Sequence, residues 1–317
     1  MSRNRKKNRL SKKDYEPVEY DYHLPVMLEE CIDNLVLCNE GIYIDGTLGG
    51  GGHAVRIFSK LGSGGNLVVF DKDPNAIMHC KRKFQELTEK ISAPRVTYYN
   101  ECFSTICSKP EYDGLINGVL LDLGVSSRQL DSDSVGLSYR FPARLDMRFG
   151  GEGITAYDII NTHDIADIKR ILFLYGEEPK AGLIARRIEE RRRAIPLETT
   201  TDLRDLVSEI VPPSQLFKTL SRVFQAFRIA VNDELNILEK ALHCFINMAA
   251  PNARIVVLSY HSLEDRIVKN IFKEYAKPTD KLPLIKLVNS KPMSASMDEI
   301  KKNPRARSAK LRIAEKT

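Results

Sequence analysis

In IYIDGTLGGGGHA (residues 42–54) an apolar run ends at Asp45, and four consecutive glycines lead into His53. Glycine loses much backbone entropy on folding, so a run this dense calls for something lying close against the main chain. A strand, a glycine loop and a helix suit a nucleotide-like ligand, because main-chain atoms can touch it and the helix N-terminus offers amide donors. No Gly-Lys-Ser/Thr follows, which excludes a P-loop, and Gly46, Gly49 and Gly52 fit the dinucleotide register only approximately. Asp45 is the sharper clue. Its carboxylate would crowd a pyrophosphate, yet it suits a ligand carrying an amine and no phosphate. Asp71, after the next apolar run, stands where an acid accepts ribose hydroxyls, in NAD and S-adenosylmethionine alike. Asp45 and the loose register favour S-adenosylmethionine. A dehydrogenase would have to bind NAD beside Asp45.

Particular elements must hold these residues. IYIDG (42–46) is β-prone, and HAVRIFSKLG (53–62) reads as a helix closed by Gly62. NLVVFDKD (66–73) is nearly continuous in apolar residues, as in a parallel strand covered on both faces. NAIMHCKRKFQELTEK (75–90) is a helix, VTYYN (96–100) a third strand, and GLINGVLLDLG (114–124) a fourth that ends at Asp122. This order calls for an open α/β sheet. The next core strand is ARIVVLS (253–259). Its crossover helix is NDELNILEKALHCFINMAA (232–250), with Asn232 as cap. SLEDRIVKNIFKEYA (262–276) is helical, and LPLIKLV (282–288) and AKLRIAE (309–315) form a closing strand pair. LPVMLEECIDNLV (24–36) has helical spacing with Pro25 in its first turn.

Residues 131–230 are left over and read as an inserted helical subdomain. It has a Gly- and Asp-rich loop and helices at 162–176, 181–193 and 201–211, the last closed by Pro212 and Pro213. The expected division is a basic disordered arm (1–20), an α/β core (21–130 and 231–317) and the insert (131–230).

No apolar stretch is long enough to span a bilayer, and the basic N-terminus lacks the apolar segment of a secretory signal. The six cysteines show no CxxC spacing; Cys31, Cys80 and Cys244 read as reduced small hydrophobes on helices. The expectation is a cytoplasmic protein with no structural zinc or other metal site. The net charge of +6 is uneven: seven Lys or Arg in the first thirteen residues, seven between Lys301 and Lys316, and five between Arg186 and Arg193. Clustered bases suit a polyanion, usually nucleic acid, although any one cluster could simply be a solvated face.

Six motifs go further. GIYIDGTLGGGGHA, LLDLGVSSRQLD (120–131), LDMRF (145–149), FQAFRIAVNDEL (224–235), SYHSLEDRIVK (259–269) and NPRARSAKLRIAEKT (303–317) together resemble the bacterial 16S ribosomal RNA (cytosine-N4) methyltransferase family. The resemblance runs from about His23 to the last residue. It implies a seven-stranded Rossmann-like S-adenosylmethionine-dependent methyltransferase fold with a helical insert. It also implies methylation of a cytidine amine in the decoding region of small-subunit ribosomal RNA, free or in the assembled subunit, and it hints at a homodimer. Gly51, Gly52 and His53 match that family's glycine-loop contacts to the cofactor and Asp71 its ribose-binding acid. Phe103 falls where the family has a residue beside the adenine, and Asp122 and Gln129 match the remaining contacts. This chain departs from the family in Tyr260 for the usual Phe, in VFQAFRI (223–229), and in FPAR (141–144) before LDMR.

The lone pair of a cytosine amine is delocalised into the ring. Transfer therefore needs an acceptor for an N4–H and alignment of nitrogen with methyl carbon. Here DLGV (122–125) replaces the Asp/Asn-Pro-Pro-aromatic tetrapeptide of many amine methyltransferases, which disfavours a DNA cytosine-N4 enzyme. Asp122 could accept from N4, hold the methionine end of the cofactor, or anchor loop amides. His261 could line the base pocket or cap the next helix. The target base must be turned out to be reached. Tyr139, Phe141 and Phe149 interleave with Arg140, Arg144 and Arg148, which suits an unstacked base, while Phe149 could equally fill the seam between core and insert. Arg222 and Arg228 flank Phe224 and Phe227 in a second seam. Arg186, Arg187 and the arginines at 191–193 suit phosphates, which position RNA without reading sequence. A non-catalytic factor binding the ribosomal subunit would keep the same basic surfaces. The intact acids and glycines argue for an enzyme.

Overall fold

The computed structural model describes residues 25–88, 93–125, 135–278 and 282–317. The basic arm expected at 1–20 and the cofactor contact expected at Gln129 lie outside the described residues.

Seven strands form one sheet: β1 (Ile42–Asp45), β2 (Asn66–Phe70), β3 (Arg95–Tyr99), β4 (Ile116–Asp122), β5 (Ala249–Ser259), β6 (Ile285–Leu287) and β7 (Lys310–Lys316), in the order β3-β2-β1-β4-β5-β7-β6. The first five run parallel, and β7 pairs antiparallel to both β5 and β6. The continuous apolar runs have the reason expected of them: Leu67, Val68, Val69 and Phe70 are fully buried because helices cover both faces. On one face α1 (Leu28–Leu35), α2 (Gly52–Lys60) and α3 (Pro74–Thr88) pack Leu35, Ile57, Phe58 and Phe84 under β1 and β2. On the other, α9 (Glu234–Met248) and α10 (Ser262–Tyr275) pack Phe245 and Phe272 against β4 and β5. The chain is an open α/β fold of Rossmann-like topology.

Among the described residues, five helices lie between β4 and α9: α4 (Ala156–Thr162), α5 (Ile165–Leu174), α6 (Ala181–Ala194), α7 (Thr200–Ser208) and α8 (Pro213–Asn232). They bury a separate apolar cluster that includes Ile160, Leu172, Ile184, Leu203 and Phe227. Thr155 and Thr199 start α4 and α7 with reciprocal capping boxes to Asp158 and Asp202. The twenty-residue α8 carries Leu220, Val223, Phe224 and Phe227 on its buried side, and Pro213 sits in its first turn. Pro212 and Pro213, expected to close the preceding helix, instead begin this one as its N-cap and first residue.

Three expectations need correction. Asn232 does not cap the crossover helix: it is the buried last residue of α8, and Asp233, with φ 51, turns the chain into α9. Its amide is committed elsewhere, accepting from Phe149 N at 2.9 Å and donating to Met147 O at 2.8 Å and Arg228 O at 2.9 Å. Pro25 lies ahead of α1 and packs on the glycine loop. Cys244 is not a reduced hydrophobe; it forms a disulfide with Cys107 across 137 residues, joining α9 to the 3-10 turn Phe103–Ser108. Tertiary proximity decides that pairing, and no sequence spacing reports it.

Candidate active site

The winding of the sheet reverses between β1 and β4, where open α/β folds hold ligands beyond the strand ends. Three carboxylates arrive there: Asp45 ends β1, Asp71 follows β2, and Asp122 ends β4. Asp45 is 1% exposed; Oδ1 accepts from Thr47 N at 3.0 Å, and Oδ2 is buried with no hydrogen-bond partner. Burial pushes its pKa up to about 6, with His53 opposing. Asp71 is likewise pushed up to about 6 by burial, against the amides of Asp73 and Gly49, which donate to it at 2.8 Å each.

Asp122 is tied in through Thr47, whose Oγ1 accepts from Asp122 N at 2.8 Å. Its Oδ1 accepts from Tyr260 Oη at 2.7 Å, and its Oδ2 lies 3.5 Å from His53 Nδ1. A quarter of the side chain stays open. Burial raises its pKa, while His53 and the Tyr260 hydrogen bond hold it down. His53 opens α2 and is buried, with Nε2 3.1 Å from Val26 O. A carbonyl can only accept, so Nε2 carries the hydrogen and Nδ1 is the atom turned to Asp122.

The glycines answer first to the protein itself. Gly49 and Gly51 have φ of 48° and 73°. A Cβ on Gly51 would sit 2.6 Å from Cys80 Sγ, and one on Gly52 2.9 Å from Pro25. Across the loop, a Cβ on Gly46 would lie 3.1 Å from Phe103 Cβ, so Phe103 flanks the cleft from the 3-10 turn that the disulfide anchors.

The family model for the MraW methylase family matches residues 21–317. The chain belongs to the MraW methylase family. It is similar to two proteins each named "Ribosomal RNA small subunit methyltransferase H". One, from Heliobacterium mobile, is 41% identical over 93% of this chain and 99% of that one. The other, from Paenibacillus sp. (strain JDR-2), is 42% identical over the same shares. A Streptococcus mutans protein solved in complex with SAH covers 93% of this chain and all of that one at 14% identity, with a TM-score of 0.45.

Membership makes this chain a methyltransferase that uses S-adenosylmethionine, and the residues present fit that cofactor. The orphaned Oδ2 of Asp45 is a buried acceptor in need of a donor, which an amino group supplies. Asp71 is fixed by two amides at the end of β2, as ribose hydroxyls require, and Phe103 offers a ring beside Gly46.

His261, whose two readings were left open, is the N-cap of α10. Its Nδ1 accepts from Glu264 N at 3.4 Å, and Glu264 Oε2 accepts from Tyr260 N at 2.8 Å. Glu264 is 3% exposed, and its carboxyl is held below the ordinary range by the hydrogen bond and charge of His261 and by Arg228, against burial. Glu234, His261 and Glu264 each bring a ligand atom within 4.8 Å of the others, but Arg228 already occupies both Glu234 oxygens, at 2.8 and 2.9 Å.

The insert residues divide into two groups. Arg148 is bidentate on Asp146, Arg187 pairs with Glu190 and Glu209, Arg222 with buried Glu178, and Arg228 with Glu234. Tyr139 packs edge-on against Phe224, and its hydroxyl lies 3.2 Å from Ser221 Oγ. Phe149 packs on the insert's own cluster. By contrast Arg140, Phe141, Arg144 and Arg186 are exposed, and these three guanidinium groups have no ion pair among the described residues. Sequence reasoning missed Tyr260 as a site residue. It noted only the departure from Phe, and the added hydroxyl was the signal.

Proposed function

We propose that this methyltransferase transfers a methyl group from S-adenosylmethionine to the exocyclic N4 of a cytidine in the decoding region of small-subunit ribosomal RNA. The observation that carries the reading is Asp122: an end-of-strand carboxylate, partly open, with one oxygen held by Tyr260 and the other facing His53. The printed names of the two relatives support ribosomal RNA of the small subunit as the substrate.

The bound cofactor supplies an electrophilic methyl group on a sulfonium. Asp45, Asp71 and Phe103 hold amino group, ribose and adenine, with Gly51, Gly52 and His53 completing the loop. Asp122 accepts an N4–H and favours a pyramidal amine whose lone pair is freed from conjugation with the ring, and the proton it accepts becomes acidic only as the nitrogen gains the methyl group. Geometry therefore does more than basicity. Residues 131–230 act as the substrate platform beside a core of 21–130 and 231–317. Arg140, Arg144 and Arg186 contact phosphates, and exposed Phe141 stacks on an unpaired base. The paired Arg148, Arg187, Arg222 and Arg228 shape the platform, and His261 orders the turn behind the pocket.

Nucleoside mass spectrometry of small-subunit RNA from cells lacking the protein tests this. The expected result is loss of an N4-methylated cytidine, restored by the wild-type gene and not by Asp122→Asn. An unchanged cytidine profile sinks the proposal.

A further inference from the structure

The reading of Asp122 as N4–H acceptor leaves open what keeps that carboxylate ionised and aimed in a largely buried place. We infer that Tyr260 is the positioning residue for Asp122: its hydroxyl pins one carboxylate oxygen in charged form and thereby sets the acid limit of methyl transfer. The inference rests on the proposed role of Asp122 and adds a residue to it.

The Tyr260 hydroxyl donates to Asp122 Oδ1 at 2.7 Å, a short charge-assisted bond. The ring that carries it is fixed from both sides. Tyr260 N donates to Glu264 Oε2 at 2.8 Å, and His261 N donates to the same oxygen at 3.3 Å. Gly124 opens a slot for the ring. Its φ is +146°, in the region that favours glycine, and a Cβ there would stand 3.1 Å from the Tyr260 ring. The glycine of the DLGV turn is thus matched to the tyrosine 136 positions on.

The groups facing Asp122 are few. His53 comes from α2, Asp45 from β1, Cys31 from α1, and Tyr260 and Glu264 from the β5–α10 turn. Asp45 and Glu264 are acids that oppose its ionisation, and Cys31 is a buried thiol raised above its ordinary range. Among the described residues, Tyr260 and His53 in its protonated form favour the charged carboxylate. Burial holds the Tyr260 hydroxyl well above its ordinary range, so it stays protonated and always donates. With Oδ1 taken, the oxygen nearer His53 keeps a lone pair for N4–H. If Asp122 is protonated, it cannot take up the proton that N4 must lose on methylation.

The test is the pH profile of single-turnover methylation of small-subunit RNA by wild type and Tyr260→Phe, with cofactor affinity measured by calorimetry. Phe keeps the ring in its slot, so cofactor affinity is expected to hold. The acid limb should move up by about one pH unit, giving a loss of about tenfold on that limb, and the two profiles should meet at the alkaline plateau. A ¹³C NMR titration of the aspartate carboxyls should show one of them, assigned to Asp122 by its absence in Asp122→Asn, moving the same way. Superimposable profiles with an unmoved carboxyl resonance overturn the inference, and so does an equal loss at every pH. If instead wild type leaves the RNA unmethylated, or Asp122→Asn matches wild type, the proposed function itself fails.

Discussion

Asp45 and Asp71 put a buried and a half-buried carboxylate, both with pKa values near 6, into one cleft. Both folded-state values lie above the unfolded reference of about 3.9, so each favours folding most below that reference. That contribution is lost as pH rises through about 6, leaving the cofactor-free protein with a buried-charge cost at neutral pH. Asp45→Asn should therefore stabilise the cofactor-free protein by up to about 3 kcal/mol at pH 8, and by about half of that at pH 5. Thermal denaturation at the two pH values checks this. The same variant should weaken S-adenosylmethionine by at least about tenfold in calorimetry, because the acceptor for its amino group is gone. A stability optimum that Asp45→Asn leaves in place would show that burial is not what shifts this group.

At the scale of elements, the ends of helices and strands do the positioning. Asn232, at the last turn of α8, holds the Met147–Phe149 loop with two hydrogen bonds. Asn232→Ala strands Phe149 N and Met147 O and should cost about 1–3 kcal/mol in denaturant unfolding. It should also raise the KM for RNA while leaving cofactor affinity close to wild type, since the loop belongs to the platform side. The glycine loop is expected to behave in the opposite way. Gly51→Ala forces a side chain into a positive φ and against Cys80 Sγ, so cofactor affinity should fall with stability. Equal binding by Gly51→Ala in calorimetry would show that the loop relaxes more freely than its packing implies.

Across the whole molecule, a covalent link and a set of free charges matter most. The Cys107–Cys244 disulfide closes a loop of 137 residues, and chain entropy assigns a link of that span about 4–5 kcal/mol. Reductant should lower the melting temperature, and alkylation in denaturant should label four cysteines before reduction and six after. For RNA, Arg140→Ala, Arg144→Ala and Arg186→Ala should each weaken binding evenly across sequences and reduce the salt slope by about 1. Arg187→Ala should leave that slope nearly unchanged, because its guanidinium is engaged by Glu190 and Glu209. The sequence alone determined the strands that end in Asp45, Asp71 and Asp122, because continuous apolar runs, glycines and acids at their ends are local signals. It also carried the family motifs, which are linear by nature. Only the tertiary structure decided which arginines are free, since pairing depends on partners such as Glu178 and Glu234 that no spacing predicts. It also decided that Asn232 holds a loop rather than capping a helix, and that Cys244 meets Cys107. The bond from Tyr260 to Asp122 joins residues 138 positions apart, and such contacts exist only once the sheet has brought two strand ends side by side.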